Sequence, residues 1–323
     1  MEAIGAVGGW RWAVPHDYEG DGLGVVDQLL VYEAIARGDV STALIVTQRD
    51  GAIDLIAKGD NHDLMRAFLP RYATGELFTT VGISQITTSR QGGKPAMSVR
   101  MDGDDAIFDG LMPWVTGADH ADDIVTAGVL GDGRQLLALM HTDAPGVEPG
   151  EPMQIAGVQS SHTAAVKCAT VRITPDRFLR PPMEQVLARR SPVKNWVTSA
   201  VGLGLAASMF DQIETRRETS PVELLDPSDE MRTRFTNIRQ RLLELAAQDD
   251  DGNDTDKVDV DAVRHAINDM LIRLSGLMML TVKGSGYLSS HAAQRLAREA
   301  LFFCVWSAPD AVRIGTAREL IRR

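Results

Sequence analysis

The chain is poor in cysteine, in positive charge and in long apolar runs, and each shortage removes a class of protein. Its 323 residues include two cysteines, Cys168 and Cys304. Two thiols so far apart make no disulfide framework or metal cluster, and both read as buried apolar residues. Lys and Arg number 33 against 44 Asp and Glu, a formal net charge of −11. Nucleic-acid binding needs clustered cations to displace counterions, so that class is excluded. A phosphate-bearing cofactor needs only a few local donors and is not excluded. No apolar run reaches the ~18 residues of a membrane helix. Glu2 and Gly5 interrupt any apolar start and no basic stretch precedes one, so no signal peptide is expected and the cytoplasm is the expected location. No GxGxxG follows a strand, which removes a Rossmann domain. No metal-ligand set is read. In the acidic stretch 249–261, taking Gly252 as the sixth position of a calcium loop puts Ala247 first, where a carboxylate is required, so the stretch reads as a solvated loop.

What is present falls into three textures. Residues 1–77 read as helical, with apolar residues at three- and four-residue spacing over Val25–Ala36 and Ile53–Leu69, the latter closed by Pro70. From Phe78 to Asp176 the pattern is that of strands. Ser98–Met101 and Ala106–Phe108 flank the turn Asp102-Gly103-Asp104-Asp105, and Asp123–Val129 and Gln135–Met140 flank Gly131-Asp132-Gly133. Val166–Ile173 adds a further strand. From Met183 the helical spacing returns, through Val197–Ile213, Met231–Leu245, Val260–Thr281 and Ala292–Val305. Strands bracketed by helices predict an inserted β-domain with no parallel sheet, and the last zone predicts an antiparallel bundle.

Several stretches in this order resemble the acyl-CoA dehydrogenase family. Val14-Pro15-His16-Asp17-Tyr18-Glu19-Gly20-Asp21-Gly22 is similar to its VPxxYGGxG turn, Glu33-Ala34-Ile35-Ala36-Arg37-Gly38-Asp39 to EEIARxD, and Leu69-Pro70-Arg71-Tyr72-Ala73-Thr74-Gly75-Glu76 to YLPxLAxGE. The resemblance implies an α+β multidomain fold: an N-terminal helical domain over 1–77, shortened by the helix or two that precede that turn, a middle β-barrel-like domain over 78–182, and a C-terminal four-helix bundle over 183–323.

It also implies FAD as cofactor. Gly82-Ile83-Ser84-Gln85-Ile86-Thr87-Thr88-Ser89-Arg90 resembles VTEPxxGSD, with Ile83 and Ser84 at the flavin pyrimidine edge and Thr88 or Ser89 facing phosphate; the glutamate-proline pair is lost. Trp114-Val115-Thr116, within 109–122, resembles WIT, placing Trp114 against the isoalloxazine and Thr116 at N5. Trp-x-Thr spacing sets both side chains on one strand face, as a planar ligand requires. Lys283-Gly284-Ser285-Gly286-Tyr287 resembles GGxGY, whose glycines Gly284 and Gly286 admit a diphosphate. Arg217, in Arg216-Arg217-Glu218-Thr219, keeps the arginine of RxxFG without its phenylalanine and glycine.

The family's dehydrogenation needs a carboxylate to take the α-proton while hydride leaves Cβ. Arg298–Pro309 is similar to RDAKxxxIYEGT without gaps, and Ser307 falls on the glutamate. A second base position at the start of the first bundle helix, around Ser191–Lys194, holds no carboxylate. His162 and His291 are loose candidates for a base and read more readily as satisfied turn histidines; Arg295 and Arg298 read as partners of acidic neighbours. The implied function is an acyl-CoA dehydrogenase-like, FAD-dependent oxidoreductase acting on CH–CH bonds, its activity altered or lost at Ser307. Its partners would be an acyl-CoA-like or other small substrate, an unspecified electron acceptor, and a second or further copies of the chain in a homodimer or homotetramer through faces such as Leu277–Leu280. Two alternatives stay open: a reduced-flavin-dependent monooxygenase of the same fold, and a non-catalytic binding or assembly relative.

Overall fold

The computed structural model describes residues 1–87, 95–188, 191–250 and 256–321. In chain order its elements are α1 (Glu2–Ala6), α2 (Val25–Gly38), α3 (Val40–Ala57), α4 (His62–Thr74), β1 (Thr79–Gly82), β2 (Met97–Asp102), β3 (Asp105–Val115), β4 (Asp123–Leu130), β5 (Gln135–His141), β6 (Val147–Pro149), β7 (Ala164–Ile173), α5 (Val193–Glu214), α6 (Val222–Asp250), α7 (Lys257–Val282), α8 (Ala292–Phe302) and α9 (Asp310–Ile321). They form two compact units: residues 1–23, 44–154 and 159–191, and residues 24–43, 155–158 and 192–323. The α+β class with helical, β and helical zones in that order is as expected.

The first unit is built on one mixed sheet of order β1-β4-β2-β3-β7-β6, with β5 on β4. The two expected hairpins form, β2 against β3 with Asp102 opposite Asp105, and β4 against β5. The expectation of no parallel sheet fails in two places. β1 pairs with β4 in parallel, and the start of β2 does so through Ser98 and Val99. Parallel neighbours need a connection of roughly a dozen residues or more, and the stretches from β1 to β4 and from β2 to β4 are both longer than that, whereas the sequence pattern registers only the tight turns. Every residue of β4 is buried. On one side Ile53, Ile56, Leu64, Leu69 and Tyr72 of α3 and α4 pack with Val81, Val125, Leu137 and Leu139; a second core holds Met97, Phe108, Met112, Ile124, Met140, Val166 and Val171.

The expected single helix Ile53–Leu69 is two. Asn61 breaks it: its Oδ1 accepts from Leu64 N at 3.0 Å while its Nδ2 donates to the Asp176 and Phe178 carbonyls at 2.9 and 3.0 Å, so it caps α4. Nor does Pro70 close the helix. It lies inside α4, which runs on to Thr74 and ends at Gly75 with φ 73°.

In the second unit α2 packs against α5, and α7 contacts α5, α6, α8 and α9. A Cβ on Gly204 would stand 2.3 Å from the Glu33 carbonyl, so glycine sets the α2–α5 approach. Trp196, fully buried, donates from Nε1 to Asp249 at 2.7 Å. The helix expected over Ala292–Val305 stops at Phe302, and α9 follows it unforeseen. Only Val312 and Thr316 of α9 are buried, too few to print an apolar stripe in the sequence. Along Leu277–Leu280, Met278 points into the unit and Leu280 is exposed. Of the two thiols expected inside, Cys168 is buried and Cys304 only half so. Among the described residues no helix is long and apolar enough to cross a membrane.

Candidate active site

In the first unit the residues singled out at β1 and β3 come to one end of the sheet. A Cβ on Gly82 would lie 2.6 Å from Met112 Sδ and 3.2 Å from Val115 Cγ2, so β1 can approach the end of β3 only as glycine there. Thr80 Oγ1 donates to the Thr116 carbonyl at 2.9 Å, and Thr126 Oγ1 to the Gly82 carbonyl at 2.8 Å. Gln85 then pins the short helical turn Ser84–Ile86, its Nε2 donating to the Gly82 and Ala127 carbonyls, both at 2.8 Å. Ile83 is buried in the core. Among the described residues the Ser84 hydroxyl is shielded from solvent and has no hydrogen-bond partner, and the same holds for Gln85 Oε1. Thr88 and Ser89 lie outside the described residues.

Trp114 is 52% exposed and Val115 fully buried. The expected shared strand face for Trp114 and Thr116 is not what forms, because β3 ends at Val115 and its pairing with β7 shifts register between Met112 and Val115. Pro113 has no N–H to give the ladder, which favours an irregularity at that point. Thr116 instead opens the following turn. Its hydroxyl lies 3.2 Å from that of Thr163, which lies 2.8 Å from that of Ser161. Three hydroxyls joined by two hydrogen bonds leave one proton to donate outward.

In the second unit Arg217 is held locally. Its Nε donates to both Glu214 oxygens at 2.9 Å and its Nη2 to Asp229 at 2.9 Å, and these carboxylates push its pKa up. A Cβ on Gly286 would meet Val282 Cγ2 at 2.5 Å, so packing against α7 accounts for that glycine; Gly284 faces open space.

Ser307 is exposed in the loop between α8 and α9, at φ 46°. Arg264 underlies the loop. It is 5% exposed, donates from Nη2 to the Phe303 and Trp306 carbonyls at 2.8 and 3.1 Å, and burial pushes its guanidinium down to about 9. Phe302 stacks on Trp306 with centroids 5.4 Å apart. Glu299 is 1% exposed and paired with Arg295 Nη1 at 3.0 Å; burial nevertheless raises its pKa. It faces its own unit and is no exposed base. His291 Nδ1 accepts from Ala293 N at 3.1 Å, capping α8. Arg295 has acidic partners as expected, whereas Arg298 bonds Gln294 and the Ala156 carbonyl instead.

A cluster the sequence reading did not foresee lies beside Thr116. Asp119, His120 and His162 place their ligand atoms within 4.8 Å of one another. Asp119 and His162 are 43 positions apart, so no local spacing reveals them; the adjacent Asp119-His120 pair is the only linear hint.

The fold is that of solved acyl-CoA dehydrogenases. Residues 1–76 match the family described as acyl-CoA dehydrogenase, N-terminal domain. The chain is 23% identical to the probable acyl-CoA dehydrogenase YngJ of Bacillus subtilis (strain 168), over 100% of this chain and 89% of that protein. Further relatives align over 48% to 55% of their own length. Among solved structures, a glutaryl-coenzyme A dehydrogenase in its glutaryl-CoA complex superposes with a TM-score of 0.87 at 17% identity, over 98% of this chain and 85% of that one. A dibenzothiophene monooxygenase from Paenibacillus sp. A11-2 superposes with a TM-score of 0.84 at 15% identity, over 99% and 90%. Together these matches indicate similarity to the acyl-CoA dehydrogenase family, at low identity.

Proposed function

We propose that the chain is an FAD-dependent, acyl-CoA dehydrogenase-like oxidoreductase of the cytoplasm, acting on CH–CH bonds, in which proton abstraction is altered or lost at Ser307. Support for the flavin comes from the donor set at the sheet end. The unpartnered Ser84 hydroxyl and the spare proton of the Thr116–Thr163–Ser161 chain suit the acceptor-rich edge of a flavin, and the half-exposed Trp114 ring offers an apolar plate beside it. FAD, when bound, would supply the hydride acceptor. Ser84 and Thr116 would hold its polar edge, and Trp114 would exclude water from one face. Arg217 and Gly286 already have partners within their unit and are weaker supports for a diphosphate.

The observation that carries the altered chemistry is Ser307, exposed in the α8–α9 loop at the position where the resemblance puts the family's glutamate. A hydroxyl without an activating partner is too weak a base for a thioester α-proton, and general-base assistance is worth ~10²–10⁴ in rate. The test assays octanoyl-CoA and shorter thioesters with an artificial electron acceptor, on protein whose absorbance spectrum has been recorded with and without added FAD. We expect no appreciable turnover, and a gain with Ser307→Glu, a change that adds no new Cβ at this positive φ. Robust turnover by the unmodified protein would show the base to lie elsewhere.

The ion pairs of Arg217 also favour a second reading, a non-catalytic relative that binds without turnover; a colourless protein that takes up no FAD selects it. The monooxygenase alternative is supported only by fold, since Phe302-Phe303 stand where such enzymes carry a histidine. A homodimer or homotetramer is proposed for the assembly, supported by exposed Leu280, Tyr287 and Leu288.

A further inference from the structure

We propose that Asp119, His120 and His162 form a site for a zinc-class divalent cation that clips together the turn after β3 and the turn before β7. The three side chains converge on one carboxylate oxygen. His162 Nδ1 lies 2.8 Å from Asp119 Oδ2, and His120 Nε2 lies 3.8 Å from the same atom. The two imidazole rings sit with centroids 4.9 Å apart, tilted by 50°. Asp119 and His120 are exposed and His162 half-buried, so the open side faces solvent.

The backbone beneath is locked before any ligand arrives. Gly117 N donates to the Ser161 carbonyl at 2.9 Å, joining the two turns directly, and the Thr116–Thr163 hydroxyl pair joins them again, one residue before Gly117 and two after Ser161. His120 N donates back to the Gly117 carbonyl at 3.0 Å, which folds the first turn so that residues 119 and 120 project together. His162 adopts φ 48°, a left-handed conformation uncommon for a residue with a Cβ. That conformation swings its ring toward Asp119. A simple histidine–aspartate pair explains His162, but it leaves the second imidazole beside the first unexplained.

The donor set selects the ion. Two imidazole nitrogens and one carboxylate oxygen suit zinc and its late first-row neighbours, whereas calcium and magnesium take oxygen ligands. With bonds of about 2.0–2.2 Å, tetrahedral ligand atoms stand roughly 3.3–3.6 Å apart. The observed spacings bracket that value, and exposed side chains can close the difference by rotation. Three protein ligands leave the fourth position to water.

The probe is Co²⁺ added to tag-free, chelator-treated protein, followed by its ligand-field absorption and then displaced with Zn²⁺. We expect one equivalent to bind with a tetrahedral-type spectrum. His120→Ala, His162→Ala and Asp119→Asn should each weaken binding by ~10-fold or more, at least the loss seen when a metal's supporting residues are removed, while His62→Ala on α4 should leave it unchanged. Zn²⁺ should also raise the thermal midpoint of the unmodified protein in a concentration-dependent way and not that of the double histidine variant, which separates site loss from misfolding. Absence of binding, or binding that survives the double substitution, overturns the proposal.

Discussion

The buried carboxylate at the start of β4 offers the sharpest test of how the first unit is held. Asp123 is 2% exposed. Its Oδ2 accepts from the Tyr72 hydroxyl at 2.9 Å, and its Oδ1 accepts from Arg177 Nη2. Arg177 is anchored further by Nε to the Leu139 carbonyl at 2.9 Å and by stacking 4.7 Å from the Phe68 centroid. One carboxylate thus ties α4, β4 and the segment after β7. Burial, with Asp123 next, raises the Tyr72 pKa well above its usual value, so Tyr72 remains a donor at neutral pH. Asp123→Ala strands both a buried hydroxyl and a mostly buried cation. Breaking a buried ion pair from one side costs about 3–5 kcal/mol; Arg177 keeps its carbonyl partner, so the low end, about 3 kcal/mol, is expected. Asp123→Asn keeps an acceptor and loses the charge, for about 1–2 kcal/mol, and Tyr72→Phe removes one net hydrogen bond, for about 1 kcal/mol. Because the chain has two units, a global midpoint can blur the effect. Hydrogen exchange of β4 and β5 peptides reads the local free energy directly. Asp123 does not hold the unit together in this way if Asp123→Ala opens these strands no more than Tyr72→Phe does.

Other expectations follow from single groups. If Trp114 lies against flavin, Trp114→Ala should weaken FAD retention by ~1–3 kcal/mol, the range for a large apolar contact; unchanged retention by equilibrium dialysis removes Trp114 from the site. Burial pushes the Cys168 thiol up to about 12, so native protein at pH 8 should protect it from a disulfide reagent until the unit opens, with half-buried Cys304 reacting first; early labelling of Cys168 by peptide mapping would contradict this. The folded-state pKa of Glu299 is raised above 4.5 by burial. Its proton is therefore held more tightly in the folded chain, and its contribution to stability is full below about 4.5 and declines as pH rises through the raised value. Glu299→Gln should gain stability relative to the unmodified protein between acid and neutral pH, read as a widening difference in urea midpoints; a constant difference counts against it.

Local features were legible in the chain itself. Gly103 and the Gly131-Asp132-Gly133 turn mark both hairpins because tight turns need particular residues at particular positions. The helices α2, α5, α6 and α7 print their apolar spacing because each buries a face. The family motifs around Trp114 and Ser307 are linear strings, so the resemblance was visible without coordinates. Tertiary structure alone decided what depends on contacts between distant segments. Asn61 ends a helix because the Asp176 and Phe178 carbonyls are there to receive its amide. The parallel pairing of β1 with β4 follows from where a long connection returns, and no short window encodes that. Gly286 is needed for packing against Val282, though its string reads as a phosphate loop. Glu299 is buried and Ser307 exposed although they share one motif, since helix and loop turn them to different surroundings. Asp119, His120 and His162 meet because the Gly117–Ser161 hydrogen bond brings two turns together, a proximity that side-chain chemistry senses and sequence order does not.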